Sequence, residues 1–255
     1  MRLESHLRAV RESGRKLLVP YLTGGLGHDW TEAVRAAAAA GADAVEVGIP
    51  FSDPVMDGPT IQEASQRALA SGTTPAKIVA ELAQLDVDVP VVVMTYANPV
   101  FRAGWERFAA SLADAAVDGA ILPDLPLEEM GDWAAAADAH AVETVLLAAP
   151  TTPDERLRAI CERSRGFVYG VSLMGVTGAR DRLAVQASEM GRRCKAVTDK
   201  PVLLGLGISN GAQAVEAAAF ADGVIVGSAL VARVMRGGPD AAYDFVSALR
   251  EAIDQ

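Results

Sequence analysis

The sequence predicts an α/β fold in which eight parallel strands close into a barrel. Short runs rich in Val, Ile and Leu recur eight times in the 255 residues, and an Ala-rich amphipathic stretch of helical length follows each run. Near-continuous apolar runs are typical of strands that are covered on both faces. Because no linker or low-complexity tract divides the chain, we predict a single-domain (β/α)8 TIM barrel over residues 1–255.

The predicted elements alternate along the chain. The strands are LLVPYLT from Leu17, AVEVGIP from Ala44, VVVMTYAN from Val91, GAILPDLP from Gly119, TVLLAAP from Thr144, GFVYGVS from Gly166, PVLLGLGIS from Pro201 and GVIVGSAL from Gly223. The helices are Trp30–Ala40, Ile61–Ala70, Pro75–Leu85, Gly104–Ala115, Glu128–Ala139, Pro153–Ser164, Leu183–Val197, Asn210–Ala218, Ala229–Met235 and Ala241–Ile253. An open doubly wound sheet is the alternative, but no GxGxxG motif follows the first strand.

Local motifs support several of these boundaries. The segment from Thr152 to Glu155 predicts a capping box at the start of a helix. Gly and Asp residues precede three strands, within residues 41–44, 118–120 and 221–223. We interpret this repeat as the turn between a helix and the next strand.

Composition excludes several classes of protein. A hydrophobic content of 51% argues against disorder, and a net charge of −10 argues against nucleic-acid partners. No apolar run reaches the roughly 18 residues of a transmembrane helix, and the N-terminus does not resemble a signal peptide. Cys161 and Cys194 lack metal-binding spacing, so we expect reduced thiols in a cytoplasmic protein without a membrane partner.

The second strand carries one carboxylate into the predicted barrel. Side chains alternate between the two faces of a strand, so we expect Val45 and Val47 to pack on helices and Glu46 to point into the barrel mouth. An ionised carboxylate there is costly unless it is paired or protonated, which favours a functional role. The alternative is a structural glutamate bound by an N–H group or an arginine.

The loop after this strand carries two further candidate acids. Asp53 precedes Pro54 and Asp57 precedes Gly58, so the residues alone favour turns at both positions. Asp57 is also a candidate for chemistry, since it follows Glu46 by eleven residues in a proline-rich loop that can fold over the mouth. Active sites of such barrels lie at this end of the strands.

Two strand ends predict a phosphate site. The GLGIS segment at residues 205–209 ends the seventh strand, and Gly227-Ser228 ends the eighth, each at the start of a helix. Helix N-terminal N–H groups attract anions, and barrels commonly bind phosphate in these two loops. Because neither loop contains Lys or Arg, we expect backbone N–H groups to bind the phosphate.

The segment after the sixth strand is a candidate lid. Residues 172–182 include flanking glycines and apolar residues, which is compatible with a loop that closes on substrate and excludes water. An ordinary surface loop is equally compatible with this composition.

The positions of the lysines and histidines limit the kinds of reaction that we expect of this chain. The four lysines lie in helices or just before strands, at the wrong end of the barrel for a Schiff base with substrate. The three histidines are too dispersed to form a metal site. These residues are Lys16, Lys77, Lys195 and Lys200, and His6, His28 and His140. We therefore expect carboxylate acid–base chemistry without metal or imine.

Several motifs occur in a characteristic order and spacing. The most specific is EVGIPFSDPVMDGP at residues 46–59, which Thr60-Ile61-Gln62 follows. The others are MTYANPVF at 94–101, PDLPLEE at 123–129, GVTGAR at 175–180, GLGIS at 205–209 and VGSAL at 226–230. With these motifs the chain resembles the tryptophan synthase alpha-subunit family essentially from end to end.

The resemblance implies a carbon–carbon lyase of tryptophan biosynthesis. Its reaction would be the retro-aldol cleavage of indole-3-glycerol phosphate to indole and glyceraldehyde 3-phosphate. Glu46 would protonate indole C3 and help to remove the proton of the glycerol hydroxyl. Asp57 would stabilise the positive charge on the ring through the indole N–H group. A carboxyl group with a tuned pKa beside one that stays ionised fits this chemistry.

The resemblance also implies roles for further residues. Gly178, Gly207, Gly227 and Ser228 would bind phosphate, and Thr177 would connect the lid to Asp57. The indole pocket would be lined by Tyr21, Tyr96, Tyr169 and Leu206, although ordinary core roles are an alternative for the tyrosines and Leu206.

The family implies a partner as well. A beta subunit would contact the loop around Pro50 and Asp53 in an α2β2 heterotetramer and receive the indole. This chain would need no cofactor of its own, and pyridoxal phosphate is expected only in the beta subunit.

Three features depart from the family pattern. Residues 23–28 replace a shorter Gly-Asp-Pro-like turn, Tyr21 replaces the usual Phe, and Leu173-Met174 replaces a more polar pair in the lid.

Two other functions remain as alternatives. One is a phosphate-binding barrel with a structural or activating role, and the other is a phosphosugar isomerase.

Overall fold

Eight parallel strands form a closed barrel in which β8 pairs with β1. The computed structural model describes residues 2–171, 180–205 and 207–255, without the side chains of residues 180–184 and 186. The strands are β1 (Leu17–Thr23), β2 (Val45–Gly48), β3 (Val91–Met94), β4 (Gly119–Ile121), β5 (Glu143–Ala148), β6 (Val168–Val171), β7 (Val202–Gly205) and β8 (Gly223–Val226). The predicted TIM-barrel fold is confirmed.

Helices surround the barrel. They are α1 (Leu3–Glu12), α2 (Trp30–Ala39), α3 (Pro59–Ala70), α4 (Pro75–Leu82), α5 (Ala97–Ala103), α6 (Trp105–Asp114), α7 (Gly131–Ala139), α8 (Asp154–Arg163), α9 (Arg180–Lys195), α10 (Gly211–Ala218) and α11 (Ser228–Ile253). The two predicted C-terminal helices join in α11 across a kink at Gly238, where φ is 59° and Pro239 follows. No helix within the described ranges is both long and apolar enough to cross a membrane.

Two helices were not predicted, and several strands were predicted too long. The buried stripe of α1 is short, since Leu3 and Leu7 are its buried residues and Val10 packs beside them. The expected strand from Val91 to Asn98 ends at Met94, and the short helix α5 begins at Ala97.

The predicted capping box at Thr152–Glu155 is wrong. Helix α8 begins at Asp154 with Pro153 at the N-cap, and no side chain caps it. The Thr152 hydroxyl instead accepts a hydrogen bond from the N–H of Ala149, at 3.0 Å. The motif therefore stabilises the preceding turn rather than the helix.

The repeated Asp before a strand has a structural role. Asp43 accepts a hydrogen bond from the N–H of Leu18, Asp118 from Val91 and Asp222 from Val202, at 2.8–2.9 Å. Each aspartate thus binds the start of the neighbouring strand. These contacts support the interpretation of the repeat as a structural turn between a helix and the next strand.

The barrel interior is apolar at its N-terminal end, where α1 closes it. Glu143 accepts hydrogen bonds from the N–H groups of Leu3 and Glu4, at 2.9 and 3.0 Å. The interior cluster comprises Leu3, Leu7, Leu17, Val19, Ala44, Val92, Ile121, Val145, Phe167, Leu203 and Ile225. With this end filled and closed, a ligand can enter only from the opposite, C-terminal end of the strands.

Candidate active site

Glu46 points into the barrel, as the alternation along β2 predicts. Val45 and Val47 belong to the core between strands and helices, so they face away from Glu46. The Glu46 side chain is fully buried, and neither carboxyl oxygen has a hydrogen-bond partner among the described residues. Burial, with a smaller contribution from the charge of Asp57, raises the pKa of Glu46 to about 8. The carboxyl group is therefore protonated at neutral pH.

Asp57 lies in the loop between β2 and α3 and is half-buried. Its N–H donates to the carbonyl of Pro54 at 3.3 Å, and its own carbonyl accepts from the Gln62 amide at 2.9 Å. Burial raises the pKa of Asp57 to about 6, and a hydrogen bond from the Tyr96 hydroxyl opposes this rise. Asp57 is therefore mostly ionised at neutral pH. The fold brings the two candidate carboxyl groups close enough to interact.

Tyr96 connects this loop to β3. The Tyr96 hydroxyl accepts a hydrogen bond from the N–H of Met56 at 2.9 Å, and its ring stacks on Phe51 with 5.1 Å between centroids. Burial and the neighbouring Asp57 charge raise the pKa of Tyr96 to about 12, so the hydroxyl remains a donor. Tyr96 thereby holds the loop that carries Asp57. Sequence reasoning did not identify the contribution of Phe51.

Tyr21 and Tyr169 occupy space that glycines leave free. A Cβ atom on Gly48 would lie 1.9 Å from the Tyr21 hydroxyl oxygen, and one on Gly205 would lie 2.5 Å from the Tyr169 ring. Burial raises the pKa of both tyrosines, and the Glu46 charge contributes to this rise. Both aromatic side chains thus lie near Glu46. Leu206, the other predicted pocket residue, lies outside the described residues.

The predicted phosphate loops lie at the ends of β7 and β8. Gly207 has φ 73°, and a Cβ atom there would meet open space. Gly227 is the N-cap of α11, and Ser228 is the exposed first residue of that helix. The first N–H groups of a helix have no acceptor within it, so they are available to an anion. Gly178, the fourth predicted phosphate residue, lies outside the described residues.

The neighbouring helix start is already capped. The Asn210 side chain accepts from the N–H of Gln213 at 3.0 Å, and the Gln213 side chain accepts from the N–H and hydroxyl of Ser209. Gly207 is therefore the position in this loop where a ligand has space to approach the backbone. The candidate lid spans residues 172–182, and its part up to residue 179, with Thr177 and the Leu173-Met174 pair, lies outside the described residues. The last residues of this segment, from Arg180, begin α9.

The glycine-rich first loop packs against neighbouring elements. The N–H of Gly24 donates to the carbonyl of Gly48 at 2.8 Å, and Gly25, with φ 73°, lies against Thr73. A Cβ atom on Gly25 would lie 2.3 Å from the Thr73 hydroxyl oxygen. The loop that departs from the family pattern is thus tied to β2 and to the turn before α4.

The predicted partner residues differ in exposure. Pro50 is buried, whereas Asp53 is exposed and accepts a hydrogen bond from the Ser52 hydroxyl at 2.6 Å. Val55 and Met56, in the same loop, are exposed by 68% and 40%. This loop presents apolar side chains to solvent beside the mouth.

Three of the lysines bind groups at the N-terminal end of the barrel. Lys16 donates to the carbonyl of Ala221, Lys195 to the carboxylate of Asp222, and Lys200 to the carbonyl of Cys161. These contacts agree with the predicted distance of the lysines from the mouth. Across the described part of the chain, no group of three or more His, Cys, Asp or Glu residues is arranged to bind a metal ion.

One inward-facing polar residue was not predicted. Thr23 lies at the end of β1, is 2% exposed, and its hydroxyl has no hydrogen-bond partner among the described residues. The alternation that places Tyr21 inward also places Thr23 inward, so this signal was present in the sequence. Its burial depends on the packing of Tyr21 against Gly48, which the sequence does not reveal.

Comparison with known proteins shows that the chain is similar to one family. A family model described as the tryptophan synthase alpha chain matches residues 7–252. The tryptophan synthase alpha chain of Streptomyces coelicolor is 48% identical over 94% of this chain and 90% of its own length. That of Methanosarcina mazei is 48% identical over 91% of this chain and 85% of its own length.

Solved structures agree with this match. A structure of Mycobacterium tuberculosis tryptophan synthase superposes with a TM-score of 0.93 at 42% identity, and covers 100% of this chain and 98% of that chain. The alpha subunit from Legionella pneumophila superposes with a TM-score of 0.90 at 33% identity, and covers 99% of this chain and 98% of that chain.

Proposed function

Because this chain belongs to the tryptophan synthase alpha chain family, we propose that Glu46 and Asp57 are the acid–base pair of its reaction. The chain is a lyase of tryptophan biosynthesis that cleaves indole-3-glycerol phosphate to indole and glyceraldehyde 3-phosphate. One observation carries the assignment: the fully buried carboxyl group of Glu46, which has no hydrogen-bond partner in the ranges that the structure describes, lies close enough to Asp57 for their charges to interact.

Glu46 begins the reaction as an acid. At neutral pH it holds a proton, because burial disfavours its ionised form. It transfers this proton to C3 of the indole ring, and the ring nitrogen becomes positively charged. Asp57, which is ionised, accepts a hydrogen bond from the ring N–H and stabilises that charge.

Glu46 then acts as a base. Its carboxylate removes the proton from the hydroxyl on the carbon attached to C3. The oxygen electrons form the aldehyde carbonyl, and the electron pair of the breaking carbon–carbon bond returns to the ring and neutralises it. Glu46 ends protonated, as it began, so one residue transfers the proton without external acid or base.

We propose that Gly207, Gly227 and Ser228 bind the phosphate, together with Gly178 in the lid that Thr177 connects to Asp57. Supporting observations are the open space at Gly207 and the start of α11, which no side chain within the described residues caps. Tyr21, Tyr96, Tyr169 and Leu206 would line the indole pocket.

The proposed chemistry needs no cofactor in this chain. Proton transfer between a carboxyl group, a ring carbon and a hydroxyl balances by itself, and Lys16, Lys195 and Lys200 are bound at the opposite end of the barrel. Pyridoxal phosphate would belong to the beta subunit. The two free, buried cysteines, Cys161 and Cys194, support a reducing, cytoplasmic compartment.

We also propose that a beta subunit binds the surface around Asp53 in an α2β2 heterotetramer. The exposed apolar side chains of Val55 and Met56 support this, as does Phe101 of α5, which is 65% exposed. Pro50 is buried and would act by shaping the loop. Phe101→Asp should weaken association in sedimentation with the beta subunit, whereas Tyr243→Asp, at another exposed aromatic, should not.

The test of the catalytic assignment is indole release from indole-3-glycerol phosphate, with and without a beta subunit. Glu46→Gln keeps the size of the side chain but cannot transfer the proton, so we expect at least about a 1000-fold loss of kcat, and about 100-fold for Asp57→Asn. Circular dichroism should show that both variants fold. Turnover retained by folded Glu46→Gln would contradict the assignment.

A further inference from the structure

Strand β1 lies between the two ends of the proposed substrate site. It pairs on one side with β2, where Tyr21 is the register partner of Glu46, and on the other side with β8, which leads to Gly227 and Ser228. In the proposed function the reacting ring carbon lies at Glu46 and the phosphate at the start of α11. The glycerol chain joins these two points, so it passes along β1.

The mouth end of β1 presents two hydroxyl groups to this path. Tyr21 and Thr23 share the inward face of the strand, since side chains on one face are two residues apart. The Tyr21 ring passes over Gly48, so its hydroxyl lies two residues of β2 nearer the mouth than Glu46. A Cβ atom on Gly227 would lie 3.5 Å from the Tyr21 Cβ. Tyr21 therefore borders both the acid and the phosphate loop.

Thr23 is placed to orient Tyr21. Its hydroxyl is buried and has no hydrogen-bond partner among the described residues, which is costly for a buried polar group. Burial raises the pKa of Tyr21, and the neighbouring Thr23 hydroxyl opposes this rise. Tyr21 thus remains a neutral O–H donor, with Thr23 beside it.

The glycerol chain carries two hydroxyl groups with different needs. The hydroxyl next to the ring gives its proton to Glu46 during cleavage. The hydroxyl on the middle carbon takes no part in bond breaking, and it needs a hydrogen-bond partner once water is excluded. Glu46 is engaged by the first hydroxyl and the helix start by the phosphate, so the Tyr21 and Thr23 hydroxyls of β1 are polar groups beside this path that remain for the middle hydroxyl.

We propose that the Tyr21 hydroxyl binds the middle hydroxyl of the glycerol chain and that Thr23 is a positioning residue for Tyr21. This inference rests on the proposed function. It makes Tyr21 a specificity determinant whose ring borders the indole pocket and whose hydroxyl recognises the glycerol. The enzyme should therefore distinguish its substrate from an analogue that lacks only the middle hydroxyl.

The test compares kcat/KM for indole-3-glycerol phosphate and for its 2′-deoxy analogue, which keeps the hydroxyl next to the ring. The unmodified enzyme should prefer the natural substrate by about tenfold or more. Tyr21→Phe should lower kcat/KM for the natural substrate by about tenfold and leave that for the analogue unchanged. Thr23→Val should lower the preference by about threefold, and Thr23→Ser should retain it.

Tyr243→Phe, at an exposed tyrosine of α11, is the control and should leave kcat/KM unchanged for both substrates. An equal loss for both substrates in Tyr21→Phe would overturn the inference, as would an unchanged preference in a folded variant. Should Tyr21→Phe fail to fold, Thr23→Val, which fills the same volume as Thr23, decides by the same comparison. No indole release by the unmodified enzyme would refute the proposed function itself.

Discussion

Glu46 is a carboxyl group whose ionised form is not stabilised by any side chain in the described part of the protein. Its oxygens have no partner among the described residues, and the closest charge that affects it, Asp57, has the same sign. Burial therefore keeps the proton on Glu46 in the folded protein, whereas water solvates the carboxylate in the unfolded chain. The same property that makes Glu46 an acid makes the folded state less stable as the pH rises.

A comparison with Glu46→Gln shows whether Glu46 lowers the stability of the folded state as the pH rises. The pKa of Glu46 is 4.5 ordinarily and about 8 in the fold, so between these values the folded state binds more protons than the unfolded state. The free energy of unfolding should fall through this pH window for the unmodified enzyme, by about 2–4 kcal/mol relative to the variant. Urea unfolding across the window checks this. Parallel pH curves would show that Glu46 is already ionised in the fold.

The sequence predicts which face of a strand these residues occupy, but it does not predict all of their contacts. Period-two alternation is sufficient to place Glu46, Tyr21 and Thr23 on the inward face, because strand geometry alone sets it. It does not show that Tyr21 leans over Gly48, because that contact depends on the register between two strands. The burial of Pro50 likewise depends on the packing of the loop.

At the scale of elements, the proposed phosphate site depends on the backbone conformation at Gly207. Its φ of 73° strains any other residue, and a methyl group there would enter the space proposed for phosphate. Gly14, with φ 87° and open space around it, is a matched control after α1. Each change to Ala should cost about 1–2 kcal/mol of stability.

Only Gly207→Ala should affect the ligand. Titration calorimetry with glycerol 3-phosphate should give about tenfold weaker binding for this variant and unchanged binding for Gly14→Ala. Equal affinity in the two variants would place the phosphate elsewhere.

Element boundaries are less predictable than element types. The eight strands follow from their apolar runs, because each is covered on both faces. Helix α1 was not predicted because its buried stripe is short, with Leu3 and Leu7 buried and Val10 packed beside them. The kink in α11 was predicted as a gap between helices, since Gly238 and Pro239 interrupt the pattern.

At the scale of the whole molecule, a buried ion pair connects the N-terminal end of the barrel to the C-terminal helix. Arg250 donates to Asp43 at 2.9 Å, and both side chains are almost fully buried. Asp43 also binds the N–H of Leu18, and Arg15 lies 3.4 Å from its second oxygen. One carboxylate thus joins β1, the end of α2 and α11.

Asp43→Ala should therefore be strongly destabilising. It removes the more buried of the two carboxylates that Arg250 binds, since Asp254 remains at 2.6 Å, and it leaves the N–H of Leu18 without its acceptor. The expected loss is about 2–4 kcal/mol in urea unfolding. Asp199→Ala is the control, because Asp199 pairs with Arg8 on the exposed surface and its loss should barely change stability. A similar small effect for both would mean that the buried pair does not hold the barrel closed.

The whole fold could be predicted because eight βα units without a divider leave few alternatives to a closed barrel. The resemblance motifs then identify the family, since they combine strand ends with their loops. The proposed partner contacts are harder to predict from the sequence. The exposure of Val55, Met56 and Phe101 depends on how the loop and α5 fold.

Infrared difference spectroscopy of the unmodified enzyme against Glu46→Gln observes the central group itself, without substrate or partner. The carbonyl band of a protonated carboxylic acid should be present at neutral pH and should disappear with a midpoint near pH 8. A band that disappears near pH 4.5, the ordinary value for glutamic acid, would contradict the account of Glu46 as a buried proton donor.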